Sequence, residues 1–86
     1  MEQRKVLIVD DEPDIREILN LLLSANGYEV FSAADGETAI RILKENPVID
    51  LIILDIMMPR EDGVQVLKKI REFSTVPALF LTAKIH

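Results

Sequence analysis

The chain has 86 residues, 49% of them hydrophobic and 29% charged, which suits one small folded domain and no more. Its net charge of −5 argues against nucleic acid or an anionic membrane surface as the partner of this segment. Cysteine is absent, which excludes a disulfide framework and a thiolate metal site and fits a reducing, cytoplasmic setting.

After Met1-Glu2-Gln3-Arg4-Lys5 comes a run, Val6-Leu7-Ile8-Val9, too short for a signal peptide or a bilayer span. Continuous apolar runs of this length read as strands buried on both faces. This one ends in acid, Asp10-Asp11-Glu12, and Pro13 then suits the first turn of a helix. That helix carries Ile15, Ile18, Leu19, Leu22 and Ala25 on one stripe, with Glu17, Asn20 and Ser24 opposite. Leu21 and Leu23 flank the stripe and widen its apolar surface beyond what a sheet alone covers. Asn26-Gly27 supplies the stop.

Tyr28 to Ala33 reads as a shorter strand that admits Glu29 and Ser32, as an edge strand does. Asp35-Gly36 turns the chain into a helix over Glu37 to Asn46, with Ala39, Ile40 and Leu43 inward, and Asn46-Pro47 ends it. Leu51-Ile52-Ile53-Leu54 is the second strand buried on both faces. It stops on Asp55, and Pro59 bars continuation of the ladder. A loop through Pro59-Arg60-Glu61-Asp62-Gly63 leads to a third helix, Val64 to Phe73, with Val66, Leu67, Ile70 and Phe73 apolar. Val76 to Leu81 is the last strand, with Pro77 at its start. The alternation βαβαβαβ, with connections that permit right-handed crossovers, predicts an α/β domain built on a parallel sheet.

Three strands end in polar groups: Asp10 and Asp11, then Asp55, then Thr82. Open parallel sheets bind ligands at the carboxyl ends of their strands. If the first and third strands are neighbours, the three aspartates meet in one crevice. Carboxylates a few ångströms apart repel by roughly 4 kcal/mol per pair at an effective dielectric of about 20, so such a cluster needs protons or a cation. Oxygen ligands without His or Cys favour Mg²⁺. The competing reading of Asp10-Asp11-Glu12 is acidic capping of a helix N-terminus, and that of Asp55 a turn.

Val6-Leu7-Ile8-Val9-Asp10-Asp11-Glu12-Pro13, Asp50 to Pro59 with Asp62-Gly63, and Leu81-Thr82-Ala83 together, in this order and spacing, resemble the receiver domains of two-component response regulators. The resemblance covers essentially the whole chain and implies a flavodoxin-like doubly wound sheet of strand order 2-1-3-4 with helices on both faces. Chemotaxis receivers exemplify that order, with its switch point between strands 1 and 3. It further implies that Asp55 is the phosphoacceptor of a sensor histidine kinase. Asp11, Asp55 and the backbone carbonyl of Met57 would hold Mg²⁺, Asp10 would assist through water, and the hydroxyl of Thr82 would act as the switch.

The chain departs from the family by lacking its last strand and last two helices, with the lysine that ends that strand. Lys84 does not replace that lysine and reads as a solvated loop charge; the terminal His86 is not expected to do chemistry. Residues 1–86 are thus expected to form a receiver incomplete at its C-terminus: a signalling module rather than an enzyme, in the cytoplasm, off the membrane. The uncovered last strand and first helix are expected to self-associate. Two alternatives stand beside this reading. A fragment unable to switch would act only as an interaction module. A Mg²⁺-dependent phosphohydrolase working through an aspartyl-phosphate resembles Asp-x-Asp, whereas here Met57 stands two past Asp55. Neither a Gly-rich dinucleotide fingerprint nor a P-loop appears, which argues against nucleotide binding.

Overall fold

The computed structural model describes residues 3–81, so Thr82, Lys84 and His86 lie outside the described residues. The elements are β1 (Lys5–Val9), α1 (Pro13–Ala25), β2 (Glu29–Ala33), α2 (Gly36–Glu45), β3 (Leu51–Asp55), β4 (Met57–Met58), β5 (Glu61–Asp62), α3 (Gly63–Arg71) and β6 (Ala78–Leu81). β2, β1, β3 and β6 form one sheet in that order, with every pair parallel. Counting only these four strands, the order is the expected 2-1-3-4.

The topology follows from where the apolar runs must go. Two strands without a polar face, β1 and β3, take the centre, where helices cover both sides. Val6, Leu7, Ile8, Val9, Ile52 and Leu54 are all at most 1% exposed. β2, which carries the exposed Glu29 and Ser32, takes an edge. The chain leaves β1 in one direction to reach β2 and returns across β1 to reach β3. With right-handed crossovers, that reversal sets α1 on the opposite face from α2 and α3. Leu7, Val9, Ile52 and Leu54 pack with Ala39 and Leu43 of α2 and Val66 and Ile70 of α3 in one core. Side chains alternate faces along a strand, so Val6 and Ile8 point the other way, toward α1.

The helices begin and end for local reasons. Pro13 opens α1, and after its last turn Gly27 takes a φ of 89°. Asp35 caps α2 by accepting the Thr38 N–H at 2.8 Å, and that bond holds its carboxyl below the usual range. Asp62 caps α3 in the same manner, accepting the Val64 N–H at 2.8 Å.

Two expectations need correction. The first helix was expected to bury a stripe containing Ile18 and Leu22, yet these are 53% and 57% exposed and no residue of α1 is buried. Its apolar surface is wider than the part of the sheet beneath it. The segment after Pro59 was read as loop. Instead Met57–Met58 and Glu61–Asp62 pair antiparallel as a small hairpin, with Met57 opposite Asp62 and Met58 opposite Glu61.

Candidate functional site

The sheet register builds the site. Val9 pairs with Leu54, so the next residue on each strand, Asp10 and Asp55, stands level at the carboxyl end of the two central strands. The Asp10 N–H donates to the Ala33 carbonyl at 3.1 Å, which carries β1 one step past its last strand residue. Asp11 follows where the chain leaves the sheet for α1. One carboxylate oxygen from each of Asp10, Asp11 and Asp55 lies within 4.8 Å of the others. The sequence readings thus converge: these three aspartates share one crevice at the switch point between β1 and β3.

Burial makes the crevice electrostatically demanding. Asp10 is 4% exposed and Asp55 is 3% exposed. Burial pushes the Asp10 carboxyl above its ordinary value; the Glu12 N–H, donating to its Oδ1 at 2.8 Å, opposes the rise, while the charges of Asp55, Asp11 and Glu12 add to it. Asp55 is oriented by the Met57 N–H, which donates to its Oδ1 at 2.9 Å. The other Asp55 oxygen, Oδ2, and the Oδ1 of Asp11 are buried without a hydrogen-bond partner. Buried carboxylate oxygens are ordinarily paired, because leaving them bare costs the full desolvation of a charged group. Two orphaned oxygens in an all-oxygen cluster fit a hard divalent cation such as Mg²⁺ and do not fit a softer, nitrogen- or sulfur-seeking metal. An acidic N-cap would satisfy itself on helix amides. Asp10 and Asp55 accept the Glu12 and Met57 N–H groups, neither of which lies within α1, so capping of that helix does not account for the cluster.

Met57 begins the short β4, immediately beyond the crevice, and its carbonyl belongs to the turn that carries Asp55 out of the sheet. Gly63 fixes the base of that turn. Its N–H donates to the Ile56 carbonyl at 2.9 Å. A Cβ added there would sit 2.5 Å from the Asp55 carbonyl oxygen and 2.7 Å from the Ile56 Cα, so only glycine lets α3 start this close to the phosphoacceptor candidate. The Leu81 carbonyl accepts the Ile56 N–H at 3.3 Å, which brings the end of β6 to the same edge of the sheet. Thr82, the expected switch residue, is the next residue and lies outside the described residues.

Two contributors were not foreseen. Arg16, one turn into α1, donates from Nη1 to the Asp10 carbonyl at 2.7 Å and ties the helix to the acidic loop. Glu61, placed by the sequence only in the loop that follows Pro59, reaches across to α2 and accepts the Gly36 N–H at 2.7 Å. Neither has a local sequence signature, because each bond joins segments whose proximity only the fold decides.

Residues 6–86 match the family profile described as the response regulator receiver domain. A probable transcriptional regulator ycf27 from Porphyridium aerugineum is 50% identical over 84 residues, covering 96% of this chain and 34% of that protein. The chain thus spans about a third of the length of the curated relatives it matches. Among solved structures, the Vibrio cholerae chemotaxis protein CheY4 gives a TM-score of 0.90 at 35% identity, covering 99% of this chain and 72% of that one. A crystal structure of the histidine kinase ThkA in complex with the response regulator protein TrrA gives a TM-score of 0.86 at 40% identity, with 98% of this chain and 72% of that one covered.

Proposed function

We infer the function from family and site together: the chain belongs to the response regulator receiver domain family, and its acidic crevice has the chemistry of a phosphoacceptor. Asp55 takes a phosphoryl group from the phosphohistidine of a sensor histidine kinase. A carboxylate oxygen of Asp55 attacks phosphorus, the P–N bond breaks, and its electron pair returns to the imidazole ring. The observation that carries this reading is the pair of orphaned buried oxygens on Asp11 and Asp55. The histidine kinase partner is supported by the kinase complex among the structural neighbours.

The chain's own residues do the positioning. The Met57 N–H holds Asp55 Oδ1 and thereby fixes the plane of the nucleophile. Asp11, Asp55 and the Met57 carbonyl would hold Mg²⁺, with Asp10 assisting through water. When bound, the cation supplies neutralisation of the carboxylates and of charge gathering on the phosphoryl oxygens. Burial of Asp55 keeps bulk water from competing with the donor. The hydroxyl of Thr82 would then turn toward the phosphoryl oxygens as the conformational switch. This is group transfer to the protein itself, so the domain acts as a signalling module rather than as a turnover enzyme. Among the described residues no helix is long and apolar enough to cross a membrane.

The test is direct. Incubating the chain with acetyl phosphate and Mg²⁺ is expected to add one phosphoryl group by intact mass, and Asp55→Asn or a chelator is expected to abolish it. Labelling that survives Asp55→Asn refutes the assignment.

A further inference from the structure

The turn that carries Met57 is too small to hold itself. β4 and β5 have two residues each, and an isolated two-stranded ribbon is marginal in water even when longer. Its base is fixed by the Gly63–Ile56 hydrogen bond. What fixes its far side is Glu61, which stands opposite Met58 in the hairpin and sends its carboxylate to the first turn of α2.

That contact is specific in three ways. The Gly36 N–H is one of the helix amides without an intrahelical acceptor, and Glu61 Oε1 accepts it at 2.7 Å, a length typical of a charge-assisted bond. The N-terminus of α2, ten residues long, presents partial positive charge to that carboxylate. The approach is also closed sterically: a Cβ added to Gly36 would lie 2.5 Å from Glu61 Oε2 and 2.7 Å from a methyl carbon of Val66. Glycine at 36 admits the Glu61 carboxylate against the backbone, and a side chain there would push it away. Glu61 also lines one cleft of ≈190 Å³ with Asp11, Asp35 and Met58, so the tie stands beside the acidic crevice.

We propose that Glu61 is a positioning residue that, by accepting the Gly36 N–H, pins the hairpin to α2 and holds the Met57 carbonyl where a divalent cation can use it. The inference rests on the metal site proposed above and adds the residue that keeps its backbone ligand in place. Mg²⁺ demands near-ideal octahedral geometry, so a carbonyl on a loosened turn binds it poorly even when both carboxylates stay in place. Groups that orient a metal ligand from outside are typically worth about 10- to 100-fold in affinity.

The experiment compares Mg²⁺ dissociation constants, by calorimetric titration of the full chain, for the parent, Glu61→Ala, Glu61→Gln and Ala39→Gly. The glutamine retains an oxygen acceptor for the Gly36 N–H and serves as the conservative rescue. Ala39→Gly weakens α2 in its interior without touching the tie, and melting temperatures of the metal-free forms show that both lesions were registered. Glu61→Ala is expected to weaken Mg²⁺ by about tenfold, with Glu61→Gln and Ala39→Gly both within about twofold of the parent. The inference is overturned if Glu61→Ala binds Mg²⁺ as the parent does, if Glu61→Gln is as weak as alanine, or if Ala39→Gly weakens binding as much as Glu61→Ala does. A parent chain that binds no Mg²⁺ overturns the metal site itself, and this inference with it.

Discussion

Removing one negative charge from the crevice is expected to make the metal-free protein more stable. Asp10, Asp11 and Asp55 each place an oxygen within 4.8 Å of the other two. At that distance and an effective dielectric of about 20, two carboxylates repel by about 3.5 kcal/mol, and Asp10 takes part in two such pairs. Partial exposure of Asp11 screens one of these pairs, and a raised pKa lets Asp10 shed part of the strain by taking a proton. Asp10→Asn leaves an oxygen to accept the Glu12 N–H and adds an amide donor beside two carboxylate oxygens that now lack one. A net gain of about 1–3 kcal/mol is expected, a fraction of the unscreened repulsion. For a domain of this size each kcal/mol moves the melting temperature by about 4–8 °C. The pH dependence has a defined sign. Because the folded pKa of Asp10 lies above its ordinary value of 3.8, the folded state holds the proton more tightly than the unfolded chain does. The metal-free fold therefore loses stability as pH rises from below 3.8 through the raised folded value, and Asp10→Asn removes that loss. Thermal unfolding in a chelator at neutral pH decides the matter. A melting temperature for Asp10→Asn equal to or below that of the parent would refute the account of the crevice as a repelling cluster.

Gly63→Ala is expected to cost about 1–3 kcal/mol from overpacking and to slow phosphorylation by acetyl phosphate, since the new Cβ would press on the Asp55 carbonyl; unchanged melting and labelling would show that the turn yields freely. Self-association through β6 and α1 is expected for the 86-residue chain. Leu21 and Leu22 are 64% and 57% exposed on α1, and Leu79 and Phe80 are 58% and 39% exposed on β6, which forms an open edge among the described residues. Burying each such side chain gains roughly 1.5–3 kcal/mol, so sedimentation is expected to report more than a monomer, and a monomer with a cooperative melt would contradict this.

What was legible in the chain was whatever is encoded by neighbours in sequence. The apolar runs Val6–Val9 and Leu51–Leu54 read as strands buried on both faces, because no alternation gives them a wet face, and their terminal acids meet provided that the two strands are neighbours, as they are in the sheet. That reasoning reached Asp10, Asp11 and Asp55 without coordinates. The stripe on α1 was misjudged for a related reason. Helical periodicity reports which residues share a face, and it does not report how much of that face the sheet beneath can cover. Ile18 and Leu22 keep the period and still stand more than half exposed.

The contacts that escaped are those made between segments far apart in sequence. Glu61 and Gly36 are 25 residues apart, and nothing near either position in the chain marks them as a pair. The hairpin Met57–Asp62 was missed because two-residue strands leave no alternation to read, and Pro59 in its turn argued for loop. The consequence is chemical. A carboxylate at the end of a strand is held by the sheet, whereas a backbone carbonyl in a short turn is held only by whatever grips that turn. The acids of the site could be found from strand ends alone, but the geometry of Met57 depends on Gly63 at one end of the hairpin and Glu61 at the other. Substitutions at these two supports should therefore separate: the glycine disturbs the Asp55 backbone and both metal binding and phosphoryl transfer, while Glu61 acts on the metal first and on transfer only through it. Phosphorylation measured against Mg²⁺ concentration distinguishes them, since saturating metal is expected to restore the rate in Glu61→Ala and not in Gly63→Ala. Equal rescue of both by metal would mean that the two supports constrain the same coordinate, and the division of labour between them would fall.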